Sequence, residues 1–417
     1  MRKVPSSIQI DLADLFQEQY QVGDHCLRVP TESFNYVQGK SSKGKKVQIP
    51  SWVSLDGWRY TLLENFPNAS GDVLFHPGAH GCVAAYVASE FVQGLPLKFA
   101  LKCVNYGQQN KKGSPWVCEW RIHQFLKSHV SSDSDSFVQC YAAVKAQVQK
   151  VSQVYFALEL MDTDLFTIIE TSQTVPNFGR WILNCLYKTS RSLLELHRAG
   201  IIYCDLKPEN VLVSMDSEGP IKFGDFDRSS IPVLNVGVVG GTKGYYSPER
   251  LLDPSVHTLA DDAWALGVLI LIAATKAASP YLGCTKESIA KFSPSNYLKR
   301  HQQCNWSDDV VERIGFLCDR LLQIDPSQRL TLPYVVDELW GTLSQMTEVP
   351  VLFYQDDDSF ILPSEASDGS SAVTMIASPR HSKYSFKREY SGDDYPTSKA
   401  ARTKCDLNST WYSLLTF

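Results

Sequence analysis

The stretch IIYCDLKPENVLV, Ile201 to Val213, and the IKFGDFDRSS that follows it, Ile221 to Ser230, set Asp205, Lys207, Asn210 and Asp225 on two tight turns. Apolar runs that read as short strands bound both turns, so four polar side chains can converge on one mouth. A carboxylate such as Asp205 can orient an alcohol and take its proton, and Asn210 and Asp225 offer the hard oxygens that magnesium prefers. Lys207, two residues after the carboxylate, points the same way and can balance negative charge on transferred phosphoryl oxygens. The chemistry such a set could do is phosphoryl transfer. A lone D-x-K-x-x-N carries little weight, because Asp and Asn in loops are mostly turn formers. The weight comes from the ordered features that flank it.

Those groups need elements to hold them. LKFALKCV, Leu97 to Val104, has the period of a strand, with Ala100, Lys102 and Val104 on one face and Phe99, Leu101 and Cys103 on the other. A lysine among such neighbours is costly to bury without anionic partners, unless it snorkels to water from an edge strand. A helix is predicted to open at Ser114-Pro115, with Ser114 as N-cap and Pro115 in the first turn. Trp116, Trp120, His123 and Leu126 then fall near one stripe with Glu119 beside it. A second helix is predicted between Arg180 and Ala199 on Leu183, Leu186, Leu193 and Leu194, closed by Gly200.

In this order the motifs resemble the eukaryotic protein kinase family, whose catalytic loop reads H-R-D-L-x-x-x-N and whose metal loop reads D-F-G. The chain has Tyr203-Cys204-Asp205 and Asp225-Phe226-Asp227 at those places. HPGAHGCV, His76 to Val83, is similar to the glycine-rich loop, with His76 in the first glycine position; the resemblance implies that Gly78, Gly81 and Val83 cover a nucleotide. It further implies that Ala100 touches adenine, that Lys102 holds the α- and β-phosphates and that Glu119 pairs with Lys102. In VYFALELMDTDLF, Val154 to Phe166, Leu158 would stand behind adenine, and Glu159 to Met161 would offer it backbone groups. GTKGYYSPE, Gly241 to Glu249, resembles the end of an activation segment, where Thr242 would hydrogen-bond Asp205 and Lys207 and mark a Ser/Thr substrate. Asp262 of DAWALG would brace the catalytic loop, and Arg329 of DPSQR would pair with Glu249.

The resemblance spans about residues 73 to 340 and implies an α+β, two-lobed protein-kinase-like fold. A small β-rich N-lobe would run over 71–160 and a larger helical C-lobe over 161–345. It implies ATP and Mg2+ as cofactors, with Asn210 and Asp225 on the metal, and proteins with Ser or Thr acceptors as substrates. There are three departures. Cys204 stands where many kinases carry an arginine that grips an activation-loop phosphate, which puts control by loop phosphorylation in doubt. Tyr203 replaces a histidine, and its ring is expected to stack on Phe226. Asp227 replaces a glycine and adds a carboxylate near the metal. Two alternatives stay open: a pseudokinase scaffold that binds without turnover, and a small-molecule phosphotransferase.

The rest of the chain bounds these expectations. At 417 residues it exceeds one usual core, and 44% apolar with 20% charged residues is ordinary for a soluble globular protein. A net charge of −5 gives no hint of a nucleic-acid or membrane surface. Eleven scattered cysteines without a C-x-x-C pair signal neither zinc nor a disulfide framework, and the start lacks the apolar run of a signal peptide. An intracellular monomer, cytoplasmic or nuclear, is expected. The longest apolar run, Ala263 to Ala274, suits a buried helix better than a membrane span. Residues 1–70 read as a partly flexible extension, with Ile8, Leu12 and Leu15 on one possible helix face and a basic loop at Gly39 to Lys46. Residues 346–417 carry DDD, SEASDGSS and RHSKYSFKREYSGDD and read as a disordered tail.

Overall fold

Alternating short runs of apolar residues dominate the first third of the chain, and they become strands. The computed structural model describes residues 18–20, 24–30, 35–40, 44, 46–63, 75–77, 81–105, 115–131, 134–148, 151–171, 175, 177–214 and 220–346. The strands of its first part are β1 (Glu18–Tyr20), β2 (Leu27–Arg28), β3 (Tyr36–Lys40), β4 (Lys46–Pro50), β5 (Trp52–Leu55), β6 (Trp58–Leu62), β7 (Phe75–Pro77), β8 (Gly81–Ala88) and β9 (Lys98–Asn105). Helix α1 (Pro115–His129) follows, then β10 (Cys140–Val148) and β11 (Val151–Leu158). One antiparallel sheet runs in the order β1-β10-β11-β9-β8-β6-β5-β2, with β7 beside β8.

Residues before 71 therefore take part in this sheet. β5 and β6 are joined by Asp56-Gly57, both at positive φ (52° and 88°), the two-residue turn whose twist matches a hairpin. Of the basic Gly39 to Lys46 stretch, Gly39 and Lys40 end β3 and Lys46 opens β4, and Lys40 pairs in register with Lys46. Ile8, Leu12, Leu15, Ser114 and everything after Met346 lie outside the described residues.

Strand β9 divides its side chains as its period predicts. Phe99, Leu101 and Cys103 pack with Leu55, Tyr86 and Tyr155 on one face of the sheet. Ala100 and Val104 pack with Val83, Phe156 and Leu158 on the other, which faces the helical lobe. That placement puts Lys102 above the lobe junction.

The second lobe holds β12 (Thr163–Asp164), α2 (Leu165–Glu170), α3 (Phe178–Arg198), β13 (Val211–Val213), β14 (Ile221–Phe223), α4 (Pro248–Leu252), α5 (Leu259–Thr275), α6 (Lys286–Ile289), α7 (Pro294–His301), α8 (Asp308–Leu321) and α9 (Leu332–Gln345). Helix α5 is apolar around its whole circumference because it is the core: Trp264, Leu266, Val268, Leu269, Ile270 and Leu271 are fully buried. Thr258 caps its N-terminus by accepting from Asp261 N. Among the described residues no helix is long and apolar enough to cross a membrane.

Glu249 and Arg329 form a two-pronged ion pair at 2.6 and 2.7 Å, and Arg329 also donates to Ala260 O and Gln323 O. Its side chain is 1% exposed. Arg329→Met strands Glu249 and two backbone carbonyls, so it should lower the unfolding free energy by on the order of 3 kcal/mol, the low end for a broken buried pair because Glu249 keeps some solvent. Denaturant titration of the full chain checks this; a loss near zero would show that the pair does not anchor the lobe.

Candidate active site

The loop that carries Asp205, Lys207 and Asn210 is fixed from below by the start of α5. Asp262 accepts from Tyr203 N at 2.7 Å and from Cys204 N at 2.8 Å, and His197 Nε2 lies 2.9 Å from the same carboxylate. The bracing matters because Cys204 sits at φ 67°, in the left-handed region that a side chain with a Cβ adopts only under constraint. Ile202 and Ser230 exchange backbone hydrogen bonds at 2.9 and 2.7 Å, which draws the loop against the segment that follows Asp225. A 3-10 turn at Pro208–Asn210 then delivers Asn210 to the start of β13.

Three side chains interlock at the loop. Thr242 Oγ1 donates to Asp205 Oδ1 at 2.8 Å and accepts from Lys207 Nζ at 3.1 Å. Lys207 Nζ lies 3.3 Å from Asp205 Oδ2. Asn210 Nδ2 donates to Asp205 O at 2.9 Å, which leaves the Asn210 carbonyl oxygen available to a cation. Burial alone would lower the Lys207 pKa, but Asp205, Glu209 and Asp225 outweigh it and hold the ammonium charged.

Lys102 joins the lobes. Its Nζ donates to both oxygens of Glu119 at 2.7 Å and to Asp225 Oδ1 at 2.8 Å. Glu119 is 1% exposed on α1, so the strand lysine has the anionic partners that its burial requires. Burial would lower the Lys102 pKa, yet Asp225, Glu119 and Asp227 raise it above the usual lysine range. Burial works against ionisation of Asp225 as well, and Lys102 overcomes it, keeping that carboxyl below its ordinary value. Asp227 behaves otherwise: burial and then Asp225 push it up to about 8, although Arg228 Nε lies 3.4 Å from its Oδ1.

Helix α1 is held to this centre by Cys118 Sγ, 2.9 Å from Ser229 O, and by His123, whose ring meets Phe226 edge-on at 5.2 Å. Tyr203 stacks on Phe223, at 4.8 Å and 17°, and meets Phe226 edge-on at 5.7 Å and 79°. Phe226 was the expected stacking partner. The phenol oxygen explains the change, since it donates to Gly224 O and so turns the ring flat against the strand leading to Asp225.

Beside Lys102 opens a cleft of roughly 530 Å³ including its mouth, with Val83 and Ala100 on one side, Leu212 on the other, and Leu158 to Met161 at the back. Glu159 N is already bonded to Gln139 O at 2.8 Å, and the Glu159 side chain pairs with Lys222 at 2.7 Å, so its free contribution to a ligand is its carbonyl. Gly78 lies outside the described residues. Gly81 is in β8, where a Cβ would stand 1.9 Å from Cys103 O, so the close approach that demands glycine there is strand to strand. Leu212 escaped the sequence; its signal was an apolar residue two places after Asn210 on the outgoing strand.

The protein kinase domain family matches residues 78–341, well over half of the chain. The chain belongs to the protein kinase family. This kinase is 29% identical over 284 residues to mitogen-activated protein kinase 3 of Arabidopsis thaliana, covering 61% of the chain and 73% of that relative. It is 26% identical over 303 residues to mitogen-activated protein kinase 13 of the same plant, covering 66% and 79%. It is 28% identical over 332 residues to the mitogen-activated protein kinase homolog NTF6 of Nicotiana tabacum, covering 70% and 84%. The kinase thus has the two-lobed α+β architecture of its family, with the interlocked side chains at the lobe junction.

Proposed function

We propose that this kinase transfers the γ-phosphoryl group of ATP, with magnesium, to Ser or Thr hydroxyls of proteins. The observation that carries the proposal is the Asp205–Thr242–Lys207 interlock. It aims a carboxylate at the site where an alcohol would enter and sets an ammonium beside the path of the phosphoryl group. In this reading Asp205 orients the hydroxyl and accepts its proton, while Lys207 stabilises charge on the phosphoryl oxygens. Lys102, fixed by Glu119, binds the α- and β-phosphates. Adenine lies between Val83, Ala100 and Leu212 against the backbone of Glu159 and Met161, with Gly81 opening the strand that carries Val83.

The donors suit magnesium. Asp225 offers a carboxylate and Asn210 a carbonyl oxygen, and among the described residues no three His, Cys, Asp or Glu side chains gather as an all-protein metal cage. One carboxylate and one amide, with phosphate oxygens and water completing the shell, is how magnesium is commonly held at nucleotides. When bound, the ion neutralises charge on the phosphates. Residues 71–345 form the catalytic domain in this proposal, flanked by the 1–70 and 346–417 segments, in an intracellular monomer.

Phosphoamino-acid analysis tests it. Purified protein, labelled ATP, magnesium and a panel of Ser, Thr and Tyr peptides should yield phosphoserine or phosphothreonine and no phosphotyrosine. Nucleotide binding without incorporation into any peptide or protein would favour a scaffold instead. Incorporation into Tyr alone would remove the Thr242 argument.

A further inference from the structure

The catalytic loop carries a cysteine where a cation would tie it to the activation segment, yet a cation is there. It comes from α4. Arg250 is 2% exposed; its Nη1 lies 2.6 Å from Cys204 O and 2.6 Å from Asp261 Oδ2, and its Nη2 donates to Gly240 O. Its guanidinium lies over the Tyr246 ring at 4.4 Å. Asp261, on the first turn of α5, also accepts from Ser247 Oγ at 2.7 Å, and the Ser247 hydroxyl caps α4 by accepting from Arg250 N. The bridge thus reaches the loop, the activation segment and the central helix together.

Two local features show that the chain is built around it. Gly240 and Gly241 have φ of 152° and 135°, and a Cβ on Gly241 would lie 2.9 Å from Arg250 Nη2 and 3.0 Å from Cys204 O. Only glycine lets the segment pass that close. Cys204 itself is left-handed, with its N–H held by Asp262 and its carbonyl held by Arg250. That carbonyl belongs to the peptide bond leading into Asp205, so Arg250 sets the plane from which the proposed base projects.

We propose that Arg250 is a positioning residue: with Asp261 it locks the Cys204–Asp205 peptide and the Gly240–Gly241 turn into the phosphoryl-transfer geometry without a phosphate on the segment. The role rests on the function proposed above. It also explains how the kinase dispenses with a cation at position 204. The guanidinium donates to a carboxylate and two carbonyls within the protein, so a loop phosphate would have to break those bonds to use it.

The test uses full-length protein made in bacteria, treated with phosphatase and checked by mass, in wild-type, Arg250→Leu, Arg250→Lys and Asp261→Asn forms. Wild-type turnover should change by less than about twofold on phosphatase treatment, since no phosphate orders the segment. Arg250→Leu should lower kcat by about 10²-fold, and Arg250→Lys by about tenfold because an ammonium cannot span the same acceptors, with Mg-ATP Kd shifted less than about twofold. Amide exchange should rise at 204–206 and 239–246 in Arg250→Leu while the core of α5 stays protected. That second readout needs no turnover, so a wild-type protein inactive on every peptide would defeat the proposed function and leave this test standing. Should Arg250→Leu fail to fold, the Lys and Asn variants carry the same comparison. Unchanged kcat and exchange in the folded variants, or a wild type that loses most activity on dephosphorylation, overturns the proposal.

Discussion

Asp205→Asn should lower turnover by about 10²–10⁴-fold, the range that general-base groups supply, with Mg-ATP affinity shifted less than about twofold. The asymmetry follows from where its bonds go. Asp205 touches Thr242, Lys207 and Asn210, and among the described residues none of those lining the cleft beside Lys102 bonds to its side chain. An asparagine can keep its carbonyl oxygen toward Lys207 and donate its amide to Thr242 Oγ1, so the fold survives while the proton acceptor is lost. Steady-state kinetics with calorimetric measurement of nucleotide binding give both numbers. Turnover within about threefold of wild type would remove Asp205 from the role of base.

Lys102→Met should reduce turnover by about 10²–10³-fold, the cost of deleting one preorganised electrostatic donor. It should also destabilise, by on the order of 3 kcal/mol, because Glu119 is left buried with no counter-charge. Glu119→Gln should cost less in rate. The double variant Lys102→Met with Glu119→Gln separates the two effects: it should regain part of the stability and not turnover, since one of the two stranded carboxylates is gone while Asp225 and the phosphates still lack their cation. The pH dependence has a definite sign. In the wild type, Lys102 holds Asp225 below its ordinary value, so that pair contributes stability above the unfolded carboxylate pKa and loses it as pH falls. In Lys102→Met the buried carboxyls prefer to be protonated, so the gap in Tm between variant and wild type should narrow as pH falls through the carboxylate range. Wild-type turnover in Lys102→Met would move the phosphate contact elsewhere, with Lys98 on the same strand the next candidate.

The parts of the site that were legible are those written in short-range periods. Alternation in LKFALKCV was enough to put Lys102 and Ala100 on one face, because a pleated strand admits no other outcome. The same holds for α5, whose unbroken apolar run had to be buried. Arg250 was invisible for the opposite reason: its contacts join residues 46 and 10 places apart in the chain and depend on the backbone path through Gly240 and Gly241. No local pattern marks an arginine as buried. The strands before residue 71 were illegible mostly because they are short, although Asp56-Gly57 between WVSL and WRYTL is a hairpin signal with a mechanism. Tyr203 illustrates a third limit, since its ring orientation is decided by where a hydroxyl finds a carbonyl.

The pairing of β1 with β10 has a bearing on how the protein comes to exist. Glu18 lies opposite Lys145 and Tyr20 opposite Ala143, so β1 leaves the ribosome well over a hundred residues before the strand it pairs with. At ordinary translation speeds that wait is on the order of ten seconds. The β8–β9 pair, close in sequence, can form meanwhile, and once β10 and β11 have been made and paired the far strand joins the edge they build. Until β1 docks there, the outer side of β10 is an open row of backbone donors and acceptors, the kind of surface on which chains stick to one another. Slower growth temperature during expression should then favour the native product, by giving the first strand time to reach its edge before a neighbouring chain does.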